Sequence, residues 1–332
     1  MGINILGKDN LMGIFKKYSV LILLIFFIVV ASLVSSNFFS VSNFLNILQS
    51  YAAPGIIAIG MTFTILSSGT DLSVGSFAAL GGMVSALLLT RNVPVPVCVL
   101  VAVGIGGLLG SLNGLIITFF NITPFIVSLA TMVSIRGLAM LTTDGKVISG
   151  LIRLGNGGGS GAAFCLLGGG TFNIMGARIP IAGLTWIFFT VIAAYVLRYT
   201  MFGRGLYAIG GNREAAMLSG MRVKLYNTLA WTVSGITATY AGVVLTAWLT
   251  VAQPTLASGF ELDAIAATVI GGTAMSGGKG GVIGTFAGVL ILAIITNLFN
   301  LMGLPSYYQQ IFKGIIIIAA LLLNQFVSRE NG

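Results

Sequence analysis

The groups able to carry chemistry are few, and their spacing decides what they can do. Seven side chains are acidic (Asp9, Asp71, Asp144, Glu214, Glu261, Asp263 and Glu330), and the 332 residues include no histidine. Covalent catalysis needs a nucleophile, a base within reach and a group that orients the base. No Ser–base or Cys–base constellation here has a spacing that justifies one. The two cysteines, Cys98 and Cys165, lack the paired spacing of a zinc site or a disulfide framework. Gly277-Gly278-Lys279-Gly280 resembles a phosphate-binding loop only superficially. The full pattern needs glycine at position 273, which is Thr273, and a hydroxyl residue after the lysine, where Gly280 stands. The residues therefore point to a chain that is not an enzyme, binds no metal or cofactor, and takes any energy from a partner.

Polar groups set into apolar sequence are the better clue. Arg136 and Lys313 fall inside long apolar runs, where a charge costs about 2.5–3.5 kcal/mol at mid-membrane and must face protein or water. Arg136 is expected to pair with Asp71, Asp263 or a carbonyl at a helix break, or to touch solute directly. Lys313 can snorkel to the nearer interface. Asn113, Ser128, Thr131, Thr296, Asn297 and Asn300 also lie within apolar runs. They either bridge helices or line a cavity suited to a neutral polyol rather than an ion.

The elements that position these groups follow from composition. The chain is 57% hydrophobic and 7% charged, against roughly a quarter charged in soluble domains. Apolar runs recur at about 18–36, 50–67, 73–90, 95–119, 123–142, 180–199, 226–249, 262–276, 281–300 and 306–327. Most are near the ~20 residues a helix needs to cross ~30 Å of hydrocarbon, the third beginning in Gly/Ser-rich sequence and the eighth being short, and in lipid such runs must be helical. The expectation is an all-α, polytopic integral membrane protein of about ten spans, with residues 1–332 as one transmembrane domain. The first run has a signal-peptide outline after Lys16 and Lys17 but reads as an uncleaved first helix. With the N-terminus inside, ten basic residues face the cytoplasm and four face out, as the positive-inside rule requires, and the C-terminus is cytoplasmic too. The net charge of +9 thus reflects orientation, not nucleic-acid binding, because no dense basic stripe with stacking aromatics accompanies it.

Two connections are long. Residues 143–179 are outside and rich in glycine (Gly155, Gly157 to Gly159, Gly161, Gly168 to Gly170), and read as a loop or a partly re-entrant segment. Residues 200–225 are inside and basic, with a short helix starting near Asn212, an N-cap, and Glu214 in its first turn. Gly106, Gly110 and Gly114, and again Gly280, Gly284 and Gly288, recur every fourth residue, which predicts close helix–helix approach. A faint internal echo links two interrupted runs, one broken at SSGTDLSVGS near Asp71 and one at GGTAMSGGKGG near Lys279. Paired breaks of this kind mark functional positions in duplicated transporter halves.

Four blocks in order, GMTFTILSSGTDLSVGS at 60–76, NITPFIVSLATMVSIRGLA at 121–139, FGRGLYAIGGNREAAMLSGMRV at 202–223 and ELDAIAATVIGGTAMSGGKGGVIGTFAGVLI at 261–291, carry a resemblance. The chain resembles the permease subunits of ribose-type ATP-binding-cassette (ABC) importers, which serve ribose, xylose, arabinose, galactose and related solutes. The resemblance covers the chain from about residue 40 onward and departs from the family's usual GGIDLSVGS at Ser68-Gly69-Thr70. It implies a substrate path between two permease copies or paralogues and a coupling helix that docks into a separate ATPase. The matching coupling residues are Gly211, Asn212, Glu214, Ala215, Ala216 and Gly220, within the 200–225 loop.

The expected function is the permease subunit of an ABC importer for a monosaccharide or related polyol, multi-pass in the cell membrane of a prokaryote. Its partners would be an ABC ATPase, an extracytoplasmic solute-binding protein, a second permease copy or paralogue, the sugar and membrane lipid. The expected path runs near Asp71, Ser73, Asn113, Arg136 and Asn297. The alternative is an ion-coupled secondary sugar transporter, for which Asp71 or Asp263 would bind the ion; a passive channel leaves the 202–223 block unexplained.

Overall fold

A computed structural model describes residues 8–154, 159–174 and 176–329. Gly155, Gly157, Gly158 and Glu330 from the sequence analysis lie outside them. Helices run in the order α1 (Lys8–Val34), α2 (Val41–Ser50), α3 (Ala52–Leu66), α4 (Val74–Thr90), α5 (Val95–Phe120), α6 (Pro124–Leu141), α7 (Gly159–Gly169) and α8 (Ile181–Tyr199). They continue as α9 (Met201–Gly211), α10 (Arg213–Leu218), α11 (Val223–Leu249), α12 (Phe260–Ile270), α13 (Val282–Leu301) and α14 (Ser306–Arg329). Each of the ten expected runs carries a helix. Among the described residues, α5, α6, α8, α11 and α13 are each long and apolar enough to cross a membrane, and the α2–α3 pair, bent by 51°, makes a sixth. α12, at 11 residues, rises only ~16 Å and reaches about halfway across the hydrocarbon. The run expected to 276 therefore ends as helix at Ile270 and continues as a turn-rich break to Gly281.

α11 is the axis of the bundle and packs on α3, α4, α5 and α7. Of its apolar window 67% is buried, against 22% for α5 and α6. Its small residues make that possible. The ridge Gly106, Gly110 and Gly114 on α5 lies against the backbone of Gly235, Trp231 and Thr228, where an added Cβ at each glycine would fall inside 3.0 Å. Gly284 and Gly288 of α13 meet the Gly271 and Ala267 carbonyls in the same way. Both periodic glycine sets thus serve close packing. Outward faces of α5, α6 and α8 stay apolar and exposed (Leu100, Phe120, Val133 and Phe188), which suits hydrocarbon and not water.

The glycine-rich connection is more ordered than its composition suggests. β1 (Ile148–Ser149) pairs antiparallel with β4 (Val251–Ala252), and β2 (Thr171–Ile174) forms a hairpin with β3 (Ala177–Pro180). α7 lies between them, with Gly161 against the Leu151 and Leu154 carbonyls and Gly168 against the backbone of Val244 and Trp248 on α11.

Candidate functional site

Two helices stop partway and restart. α3 ends at Leu66, and Gly69 N–H closes it on the Thr64 carbonyl at 2.8 Å. Ser68 stands at φ 64°, a left-handed conformation that stops the helix. α12 ends at Ile270, followed by positive-φ glycines at 272, 277, 278 and 280. The two breaks touch. Gly278 N–H donates to the Leu66 carbonyl at 3.1 Å, and Ser68 Oγ donates to the Ser276 carbonyl at 2.7 Å.

The end of α9 completes this junction. A Cβ on Gly210 would fall inside 3.0 Å of Leu66 O and Gly278 N, and one on Gly278 would collide with Gly210 and Gly211. Only glycine lets three backbones meet so closely. Tyr207, one turn earlier, donates to the Gly280 carbonyl at 2.9 Å; burial pushes its hydroxyl above the ordinary phenol range, which keeps it a donor.

The chain then enters α10. Asn212 is the N-cap, its Oδ1 accepting from Ala215 N–H at 2.9 Å, and Glu214 lies in the first turn, as the sequence indicates. Gly220, at φ 81°, ends α10. Its N–H bonds to Met217 O, and Met221 N–H bonds to Ala216 O, the paired contacts of a Schellman motif. Gly211, Asn212, Glu214, Ala215 and Gly220 are exposed. Ala216 is buried with Ile209 and Val223. Met217 and Leu218 stand out at 58% and 89% exposure, an apolar tip on a polar loop.

Asp71, Ser73 and Asn113 come together. Asp71 is fully buried. Its Oδ1 accepts from Ser73 N–H at 2.9 Å and from Ser73 Oγ, and its Oδ2 accepts from Ser234 Oγ on α11 at 2.7 Å. Asn113 Nδ2 donates to Ser73 Oγ at 3.4 Å, and Thr131 Oγ1 donates to Asn113 Oδ1 at 2.7 Å. This network ties the first break to α5, α6 and α11, and three donors offset the cost of burying the carboxylate. Sequence reasoning missed Ser234, because one serine among many small residues on α11 carries no distinguishing signal.

Arg136 and Asn297 lie elsewhere. Arg136 donates to the carbonyls of Pro254 and Leu256, at 2.8 and 2.9 Å, and so braces the turn between α11 and α12; its partners are turn carbonyls, and not Asp71, Asp263 or a carbonyl of either helix break. Asp263 bonds instead to Lys313 at 2.8 Å, so Lys313 is ion-paired rather than snorkelling alone. Asn297 exchanges amide hydrogen bonds with Asn43 at 3.0 and 2.7 Å. Asn297 borders a cleft of about 510 Å³ with Gln49, Tyr51, Trp248, Thr296 and Asn300.

Residues 43–321 match the family described as branched-chain amino acid transport system / permease component. The chain belongs to this permease family. It is 40% identical over 310 residues to the ribose import permease protein of Haemophilus influenzae, covering 93% of each. To the ribose import permease protein of Bacillus subtilis it is 40% identical over 313 residues, covering 94% of each. The D-allose transport system permease protein of Escherichia coli is 33% identical over 321 residues, 94% of this chain and 93% of that protein. No solved structure matches. The permease is a multi-pass protein of the cell membrane and the membrane component of an ABC importer, which works with an ATPase and a solute-binding protein.

Proposed function

We propose that this permease forms the translocation path for a monosaccharide or related polyol, with ATP hydrolysed by a separate subunit docked on the 200–225 loop. Gly211, Asn212, Glu214, Ala215, Ala216 and Gly220 form or shape the docking surface. The observation that carries this reading is the junction of Gly210, Leu66 and Gly278. It joins an exposed, capped helix to both interrupted spans, so a push on α10 reaches both breaks through backbone contacts. The permease does no covalent chemistry of its own, and a second copy or a paralogue completes the path within lipid; nucleic acid plays no part.

Among the proposed path residues, Asn297 lines the cleft whose amides, hydroxyls and indole suit a neutral sugar. Asp71, Ser73 and Asn113 hold the first break, and Arg136 holds the turn before α12. The family description names branched-chain amino acids, whereas the relatives matching at 40% identity are ribose permeases. A zwitterion would need charged partners, and none of the described residues that line the cleft is charged. An ion-coupled mechanism has little to work with: Asp71 is enclosed by hydroxyls, and Asp263 is committed to Lys313.

The test is Glu214→Arg. The expected result is loss of ATPase-subunit co-purification and of uptake, with normal membrane insertion. Wild-type uptake by this variant would refute the docking assignment.

A further inference from the structure

A groove of about 730 Å³ opens between the end of α8, α9 and the start of α13. One wall carries Tyr195, Arg198 and Tyr199, and the other carries Arg204 and Tyr207; the opening turn of α13, from Gly281 to Gly284, also lines it. Among the described residues, no carboxylate lines the groove. Neither arginine has an acidic partner among the described residues. Arg198 lies 5.5 Å from the Tyr199 ring centroid, and Arg204 reaches only the Met201 sulfur, at 3.0 Å. Both arginines are exposed in the single chain, and Arg204, although within the 200–225 loop, lies before the Gly211–Gly220 stretch proposed to dock the ATPase. The groove also lies beside Lys279, in the loop that leads into Gly280, on the end of the bundle that the charge bias assigns to the cytoplasm.

The surroundings of the groove select the kind of anion. From its rim an exposed apolar strip runs back along α8 through Val191, Phe188, Ile187 and Leu184, with exposures of 62, 61, 38 and 40%. Two guanidinium groups lining one end of a groove and hydrocarbon-facing side chains along a span are the two halves of phospholipid recognition. Tyrosine at 195, 199 and 207 suits the depth at which ring and hydroxyl face apolar and wet surroundings together. A free phosphate would use only the arginines.

We propose that this groove is a binding site for an anionic phospholipid, with the headgroup phosphate on Arg198 and Arg204 and an acyl chain along α8. The lipid would wedge α8 against α9 and the second break, beside the junction at Gly210. The inference rests on the membrane placement of α8 and not on which solute is carried. Its outcome is therefore independent of the sugar reading.

The experiment measures lipid retained by the purified full-length permease after exchange into detergent with equimolar phosphatidylglycerol and phosphatidylcholine of matched chains, read by mass spectrometry. Two arginines are expected to give a preference for phosphatidylglycerol of roughly thirtyfold. Arg198→Gln with Arg204→Gln should reduce it to about twofold or less on the same constants. Arg198→Lys with Arg204→Lys should keep most of it, and Arg91→Gln, which does not line the groove, should leave it unchanged. If the double glutamine variant fails to fold, Arg204→Gln alone should lower the preference roughly fivefold. Excess inorganic phosphate should not strip the lipid. Equal retention of both lipids, unchanged retention in the glutamine variants, displacement by phosphate alone, or coverage of the groove by a second permease copy would each overturn the proposal.

Discussion

Replacing Gly210 with alanine is expected to disconnect the motor from the bundle while leaving the motor attached. The added Cβ falls inside 3.0 Å of Leu66 O and Gly278 N. Both are backbone atoms, so no rotamer change relieves the clash. Overpacking of this kind costs about 1–3 kcal/mol. If the backbones part, the 3.1 Å bond from Gly278 N–H to Leu66 O is lost as well, for about 1 kcal/mol more. The sum, about 2–4 kcal/mol, corresponds to roughly thirtyfold to nearly a thousandfold in the population of the joined junction. In proteoliposomes holding the permease, its ATPase and its binding protein, uptake per ATP hydrolysed should fall by at least about thirtyfold. ATPase co-purification should persist, because the exposed face of α10 is unaltered. Gly104→Ala, where nothing lies within 4 Å, serves as the control and should match wild type. Coupled uptake by Gly210→Ala at the wild-type rate would refute the claim that this junction transmits motion.

Gly220→Val places a branched side chain at φ 81°, which costs about 1–2 kcal/mol; ATPase co-purification should weaken, whereas Gly220→Asn should retain it. Asp71→Asn replaces one of the two carboxylate oxygens, the acceptor for either Ser73 or Ser234, with an amide donor, and should lower the unfolding midpoint in detergent by an amount equivalent to about 1–3 kcal/mol. Arg136→Met strands the Pro254 and Leu256 carbonyls at a comparable cost, and limited proteolysis should then cut faster within residues 250–259.

Local signals survive in the sequence and long-range ones do not. Asn212 was legible as a cap because the cap and Glu214, in the first turn after it, lie within one short stretch. The glycine ridges on α5 and α13 were legible through their four-residue period. The junction was not, since Leu66, Gly210 and Gly278 are distant in sequence and the requirement falls on backbone approach, which no side-chain pattern records. α7 was hidden for a related reason. Its glycines read locally as coil, yet Gly161 and Gly168 sit where a Cβ would collide with neighbouring backbone, so packing overrides weak helix propensity. Of the five candidate path residues, three proved to share one network because they all serve the first break. Arg136 and Asn297 serve other elements, a distribution that polarity within an apolar run cannot reveal.

The central claim is that ATP hydrolysed elsewhere drives solute through this chain. The most direct measurement is uptake into proteoliposomes of the sugar that the partner binding protein delivers, with ATPase subunit, binding protein and ATP added or omitted one at a time. Uptake is expected only when all three are present, with no response to an imposed H⁺ or Na⁺ gradient. Accumulation of sugar by the permease alone, driven by such a gradient, would contradict it.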